Sequence, residues 1–308
     1  MSAVVILLPL LWSGLIALIL ILVPVAAGLG TPDAPQVPVA AVPPALVTAT
    51  RPVAAGPTTA LEFLAFANGA GARSNGADAF LDEIETVSLR LVNEERLRAK
   101  LPPLLLDDRL SAAARAHSRD MLVRGFFDHV SPEGLTPADR IAGVHRRHIG
   151  TSGENIWGQT GANGGKAGSV AALAIKGLMA SPGHRENILR ETFTHIGVGA
   201  AGDGQHVRLT QLFGGRKALL DSDLPAMVRV GTPLALAATP SSADTRTRGR
   251  TAERFALFAA DRGQAVQGPD PIANAVVRAA PGIYRLQLYF SETGGWTIAF
   301  GPDLKVAP

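Results

Sequence analysis

The spacing of apolar residues changes along this chain, and the change constrains the fold more than any other feature. In several segments between residues 78 and 190, apolar residues recur every three or four positions, as in helices with one buried face. From residue 195 they alternate with polar or small residues around short Gly-rich turns, as in β-hairpins. Helices followed by strands predict an α/β domain, which we assign to residues 78–215.

Helix start and stop signals divide the first part of this domain. Ile84, Val87 and Leu91 recur at helical spacing, and the two prolines at 102–103 end that helix. Gly125 is the stop signal of the second helix, whose apolar face carries a histidine at 117. The predicted start residues of the second to fifth helices are Asp107, Thr136, Ser169 and Ser181.

Strand signals continue to the end of the chain. Residues 194–201 and 206–214 flank a Gly-Asp-Gly turn and predict a hairpin. Residues 216–308 show alternation and no helical period of comparable strength, so we expect a small, separate, sandwich-like β-module there. Its last hairpin is predicted to align two rows of apolar residues: Tyr284, Leu286, Leu288 and Phe290 on one strand, with Trp296, Ile298 and Phe300 on the other.

The N-terminal region differs in composition from both domains. Ala3 to Ala27 form an apolar run of 25 residues, and no charged residue precedes Asp33. This length suffices to cross a hydrocarbon core of about 30 Å, so residues 1–28 are predicted to be a transmembrane anchor. The alternative is a signal peptide cleaved after Val25-Ala26-Ala27. Residues 29–77 are rich in Pro, Ala and Gly and are predicted to be a linker.

Composition excludes several classes of protein and site. The chain has no cysteine, which excludes disulfides and thiolate metal sites. Its net charge of +3 is far from the dense basic surface of a nucleic-acid-binding protein. The one basic cluster, Arg140, Arg146 and Arg147, is interpreted as a solvated face. Motifs of zinc proteases, serine hydrolases and P-loop proteins do not occur.

Two short motifs carry the candidate functional residues. His129 follows Gly-Phe-Phe-Asp in a predicted loop, and Glu154 belongs to the motif Gly-Glu-Asn. A histidine and a carboxylate brought together by the fold form an acid/base pair or two ligands of a cation. His184, Arg185 and Glu186 lie in Ser-Pro-Gly-His-Arg-Glu-Asn, which also fits a simple helix start with an acidic first turn.

Six segments occur in order along the chain: LVNEERLRAKLPPLLLDDRLSAAARAHSRDM, FFDHVSPEG, SGENIW, LMASPGHRENIL, THIGVGAA and RLTQLFG. Together they resemble the CAP superfamily, also called the SCP domain, which includes cysteine-rich secretory and plant pathogenesis-related proteins. The resemblance covers about residues 82–214 and is greatest to bacterial members. It implies an α-β-α sandwich with a wide cleft.

The resemblance also implies a cluster of two His and two Glu that can bind a divalent metal. His129 and Glu154 match the first His and first Glu positions, whereas Ser181 and Arg208 occupy the other two. Two protein ligands are fewer than the three or four usual for Zn²⁺, so zinc is at most a weak cofactor here. His184 is a further candidate ligand.

These observations predict an extracytoplasmic CAP-domain protein of the bacterial envelope, tethered to the cell membrane by a single N-terminal helix, or secreted if that segment is cleaved. Its cleft residues, His129, Glu154, His184, Arg185 and Glu186, would bind a lipid, a glycan or peptidoglycan fragment, or a protein. One alternative is a His/Glu-dependent, metal-assisted hydrolase, against which the incomplete cluster argues. The other is a structural spacer that presents the β-module.

Overall fold

The computed structural model describes residues 55–70, 78–161, 165–242, 244 and 247–308. The predicted transmembrane segment lies outside these residues. The helices are α1 (Ala60–Ala70), α2 (Asp78–Arg98), α3 (Asp108–Arg124), α4 (Pro137–Val144), α5 (Ala167–Ala180) and α6 (Pro182–Leu189). The strands are β1 (Leu105–Leu106), β2 (His148–Thr160), β3 (His195–Gly202), β4 (His206–Leu220), β5 (Met227–Arg229), β6 (Ala238–Pro240), β7 (Ala252–Ala259), β8 (Gln264–Pro271), β9 (Gly282–Glu292) and β10 (Gly295–Ala307).

Local capping chemistry sets both ends of α3 and the start of α4. The Asp107 carboxylate accepts the first backbone N–H groups of α3, and Gly125 ends that helix in the left-handed conformation at φ 71°. Thr136 begins α4 with a complete capping box. The prediction that Ser169 begins α5 is wrong, because the Ser169 amide already donates to the Lys166 carbonyl inside the first turn.

Helices cover both faces of the strands β1, β3, β4 and β2. Neighbouring residues of β4 point to opposite faces, so Leu212 packs in the core beneath α3 and α4, and Phe213 packs in the core beneath α2, α5 and α6. A Cβ added to Gly197 or Gly199 would lie 2.1 or 2.0 Å from the α3 backbone. These two glycines therefore let α3 lie directly against β3, and the layering agrees with an α-β-α arrangement.

The C-terminal strands extend this sheet instead of forming a separate sandwich-like module. All ten strands are hydrogen-bonded together, with the main path in the order β1-β3-β4-β2-β10-β9-β7-β8. β4 runs through the predicted domain boundary at residue 215, and β10 joins β2 where Phe300 pairs with Gly150. The strand prediction for residues 216–308 is confirmed by this arrangement. The predicted separation of these residues from the domain at 78–215 is wrong, because β4 continues across the boundary and the strands on both sides of it belong to one sheet.

The last hairpin buries one of the two predicted rows and exposes the other. Tyr284, Leu286, Leu288 and Phe290 of β9 are buried. Phe290 lies opposite Thr297 and Leu288 opposite Ala299, so the first inward-facing residues of β10 are small. Trp296, Ile298 and Phe300 point outward with exposed fractions of 43%, 50% and 42%. The predicted alignment of the two apolar rows is therefore wrong, because Trp296, Ile298 and Phe300 lie opposite Ser291, Tyr289 and Gln287.

Part of the predicted linker is a packed helix. Helix α1 occupies residues 60–70 and buries Phe63 and Ala67 in the core beneath α3 and α4. It approaches α4 so closely that a Cβ on Gly143 would lie 1.8 Å from the Ala60 carbonyl oxygen. The linker prediction for 29–77 is wrong over this helix, because its apolar residues recur at helical spacing without proline.

Among the residues that the structure describes, no helix has the length and apolar content needed to span a membrane.

Candidate functional site

A buried carboxylate on β2 is the centre of the candidate site. The Glu154 side chain is 1% exposed, although carboxylates are seldom buried unless they are paired. Its Oε1 atom accepts a hydrogen bond of 2.8 Å from His129 Nδ1, and its Oε2 atom accepts one of 2.7 Å from Arg140 Nη2. Both carboxylate oxygens therefore have protein partners, and the predicted pairing of His129 with Glu154 is present.

Arg140 is the cation that makes this burial tolerable. It lies in α4 with no exposed surface, and besides Glu154 it donates to the backbone carbonyls of Leu135 and His129, each at 2.8 Å. The interpretation of Arg140, Arg146 and Arg147 as a solvated face is wrong for Arg140 and for Arg146, which is 5% exposed. The sequence of this basic cluster does not reveal its burial, because many of the carbonyls and carboxylates that accept hydrogen bonds from these arginines come from distant parts of the chain.

The pKa values of the site follow from these contacts. Burial alone would raise the pKa of Glu154, but the Arg140 charge and the His129 hydrogen bond outweigh it and lower that pKa. The hydrogen bond to Glu154 raises the pKa of His129 against a smaller effect of burial. His117, 3.9 Å from Glu154 Oε1, is fully buried, and burial lowers its pKa to about 4. His117 is thus a neutral core residue, as its position on an apolar helix face predicts.

His184 completes the cluster from the opposite layer of the fold. It lies in α6, partly buried, with its ring centroid 6.2 Å from that of His129. Burial, and next the charge of His129, lower the pKa of His184. The other two predicted residues do not join the cluster, because Arg185 and Glu186 lie on the exposed face of α6 and Glu186 pairs with Arg190 at 2.6 Å.

A network of amides fastens α6 to the sheet. Asn155 Nδ2 donates to the His184 carbonyl and to Gln211 Oε1, both at 3.1 Å. Asn187 Nδ2 donates to the Glu154 carbonyl at 3.1 Å and to Asn155 Oδ1 at 3.0 Å. Asn155, Asn187 and Gln211 thereby fix the position of the His184 backbone beside Glu154. Sequence reasoning missed this role, although all three amides lie within the motifs that it singled out.

Exposed apolar side chains border the site. Phe127 is 51% exposed and Val130 is 41% exposed, one on each side of His129 in the chain. The Arg208 guanidinium lies 5.5 Å from the Phe127 ring centroid, and both side chains lie over Gly158 of β2. His129 itself is 44% exposed, so a solvent-accessible imidazole lies within two residues of both exposed apolar side chains in the chain.

The donor set does not fit a metal ion. Both Glu154 oxygens and His129 Nδ1 already have partners, so the ligands that this cluster still offers are His129 Nε2 and the His184 ring. The positions of the missing ligands carry Ser181 and the cationic Arg208. No group of three or more His, Asp or Glu residues in the described part of the chain is arranged to hold a metal. We therefore assign no chemistry to a metal here.

Comparison with known proteins bears on the same part of the chain. The model of the cysteine-rich secretory protein family, CAP, matches residues 89–213. The uncharacterized protein YkwD of Bacillus subtilis is 37% identical over 131 residues, which are 42% of this chain and 48% of that protein. The uncharacterized membrane protein YlbC of the same organism is 32% identical over 121 residues, 38% of this chain and 32% of that protein. The chain thus spans less than half the length of either relative.

Two solved structures align with similar portions of the chain. One is an extracellular protein containing an SCP domain from Bacillus anthracis, with 34% identity, coverage of 44% of this chain and 40% of that one, and a TM-score of 0.35. The other is an outer surface protein of Borrelia burgdorferi, with 21% identity, coverage of 44% of this chain and 94% of that one, and a TM-score of 0.38.

Proposed function

Through residues 89–213 the chain belongs to the bacterial branch of the CAP superfamily, and on that premise we propose that its His129 site binds an envelope lipid. We define the His129 site as His129, Glu154, His184 and the bordering Phe127 and Val130. The observation that carries the proposal is a half-exposed imidazole, held by a buried ion pair, beside exposed apolar side chains.

The polar half of the site is fixed before any ligand arrives. Glu154 engages His129 Nδ1, so Nε2 is the ring nitrogen left for a ligand. Arg140 donates both to Glu154 and to the His129 carbonyl, and thereby holds the ring and its backbone in one position. Such preorganisation lowers the entropy cost of binding, and a protonated imidazole donates readily to an anionic head group.

The apolar half of the site favours a lipid among the three ligand classes that the sequence leaves open. Phe127 and Val130 expose apolar surface next to His129, and exposed apolar surface beside a few oriented polar groups is common at binding sites. An amphiphile with an anionic head would satisfy both halves. A glycan would leave Val130 without an apolar partner.

The proposal includes a location outside the cytoplasm, with residues 1–28 as a membrane anchor or, if cleaved, as a secretion signal. The uncharged run of 25 residues supports it, and the relative YlbC carries the name of a membrane protein.

The direct test titrates the full chain with dihexanoyl phosphatidylglycerol, which is monomeric in water, by isothermal titration calorimetry. We expect saturable binding that weakens about tenfold or more in His129→Ala, since a hydrogen bond to a charged group contributes about 1.5–3 kcal/mol. Phe127→Ala should also weaken binding, whereas Val123→Ala, on the exposed end of α3, is the matched apolar control. Equal affinity in His129→Ala, or no binding, would contradict the proposal; the latter result favours the structural-spacer alternative.

One observation favours a second candidate function, the hydrolase. A carboxylate that accepts from one imidazole nitrogen and leaves the other free orients a histidine as a general base. The metal-assisted form of this candidate is tested by the melting temperature with Zn²⁺, Ca²⁺ or Mg²⁺. At a hundred times its dissociation constant a bound metal would add about 2.7 kcal/mol of stability. We expect no metal-specific rise, and a rise that disappears in His129→Ala would favour the hydrolase.

A further inference from the structure

We propose that a second site, distinct from the His129 site, binds an oligosaccharide in a groove of about 650 Å³ bordered by β2, β4 and the β9–β10 hairpin. We call it the Trp296 groove. Its volume lies within the range of about 300–1,000 Å³ that is typical of small-molecule sites.

An exposed indole forms one wall of the groove. Trp296 and the neighbouring Ile298 line it and expose 43% and 50% of their surface. The Trp296 ring is held by an edge contact with Tyr289, at a centroid distance of 6.3 Å, and by the Arg254 guanidinium 5.9 Å from its centroid. An exposed aromatic ring held in one orientation is a platform on which the apolar C–H face of a pyranose ring can stack.

Hydroxyl and carboxyl groups form the other walls. Thr151 and Thr192 face the groove from the CAP-domain side, together with the exposed carboxylate of Glu191, whereas the Thr194 hydroxyl there is engaged by the Gly214 carbonyl and the Arg216 amide. Hydroxyls both donate and accept, and carboxylates accept strongly, so this wall offers the alternating partners that neighbouring sugar hydroxyls require. The lining is thus polar on one side and aromatic on the other, which matches the hydroxyl-bearing edge and the apolar C–H face of a sugar ring.

The charge of the lining selects among ligand classes. Among the lining residues that the structure describes, the carboxylates of Glu191, Asp244 and Glu292 outnumber the ammonium of Lys217, which pairs with Asp244 at 2.6 Å. This excess of negative charge disfavours phosphates and nucleic acids, because like charges repel more strongly in a partly desolvated groove. A neutral sugar or an amino sugar is compatible with it.

The Trp296 groove shares no residue with the His129 site, so the proposals of oligosaccharide binding and of lipid binding can be refuted independently. The test titrates the full chain, in a sugar-free detergent, with N-acetylated chitotriose and with its deacetylated, cationic form by calorimetry. We expect one or both to bind, and the stronger of the two identifies a neutral or an amino sugar as the preferred unit.

Variants test whether the Trp296 groove is the site at which the oligosaccharide binds. Trp296→Ala should weaken oligosaccharide binding about tenfold, and Glu191→Gln should weaken it less. Phe127→Ala is the matched control, since this exposed aromatic belongs to the His129 site and should leave sugar affinity unchanged. Melting curves establish that each variant is folded. The proposal is overturned if neither trisaccharide binds, if Trp296→Ala binds as tightly as the parent chain, or if trilysine binds and the sugars do not.

Discussion

Replacing Arg140 by methionine should strongly destabilise the protein. The guanidinium has no exposed surface and donates to Leu135 O, His129 O and Glu154 Oε2. Arg140→Met would leave the Glu154 carboxylate buried without its cation. Removing one partner of a buried ion pair costs about 3–5 kcal/mol, which corresponds to a fall in melting temperature of about 6–20 °C for a domain of this size.

The loss of stability in Arg140→Met should depend on the charge of Glu154. Without Arg140 the dominant influence on the carboxyl is burial, which raises its pKa. A raised folded-state pKa means that the folded protein gains stability as the pH falls, so the deficit of Arg140→Met should shrink under acidic conditions. Adding Glu154→Gln should recover about 1–3 kcal/mol, because the uncompensated charge is then absent.

The assay is unfolding of the full chain followed by far-ultraviolet circular dichroism, for both single variants and the double variant. Arg90→Met is the control, since Arg90 forms an exposed pair with Glu94 and should cost less than about 1 kcal/mol. A loss below about 1 kcal/mol in Arg140→Met, or strictly additive losses in the double variant, would refute the account of Arg140 as the cation that compensates Glu154.

Two further predictions concern stability. Burial lowers the pKa values of His117 and His195 to about 4 and that of His148 to about 3. In the unfolded chain these imidazoles bind protons near pH 6.5, whereas in the folded protein they stay neutral to lower pH. The free energy of unfolding should therefore fall from pH 6.5 to pH 4. Urea denaturation at pH 7, 5 and 4 measures this, and a flat profile would contradict neutral buried imidazoles. Gly143→Ala should displace α1 and cost about 1–3 kcal/mol. Limited proteolysis within residues 60–70 should rise in this variant but not in Gly183→Ala, where a Cβ meets no neighbour.

The elements that the sequence predicted correctly depend on local interactions. Asp107 and Thr136 cap their helices with their own side chains, and Gly125 ends α3 because it adopts a left-handed conformation. The β3–β4 and β9–β10 hairpins follow from alternation around short turns. Each of these signals lies within a few residues of the structure that it specifies.

The errors concern interactions between distant residues. The outward direction of Trp296 is set by the register of β10 against β9, and a shift of one residue would reverse it. The continuity of the sheet depends on the pairing of Phe300 with Gly150, half the chain apart. The proximity of His129 and Glu154 was expected because the family resemblance supplied the long-range information that spacing lacks, whereas the resemblance left the direction of His184 open.

The incomplete cluster and the burial of Arg140 have one electrostatic explanation. A buried carboxylate needs a cation, which in the complete His/Glu cluster implied by the family is available from a divalent metal. Here Arg140 donates to Glu154 at 2.7 Å, and the missing His position carries a second guanidinium, that of Arg208. Since Arg140 already balances the Glu154 charge, this carboxylate needs no divalent ion, and a cationic residue at the missing His position disfavours one further. Arg140 thus replaces the metal as the partner of Glu154, and the exposed His129 imidazole is left for the anionic head group that we propose as its ligand.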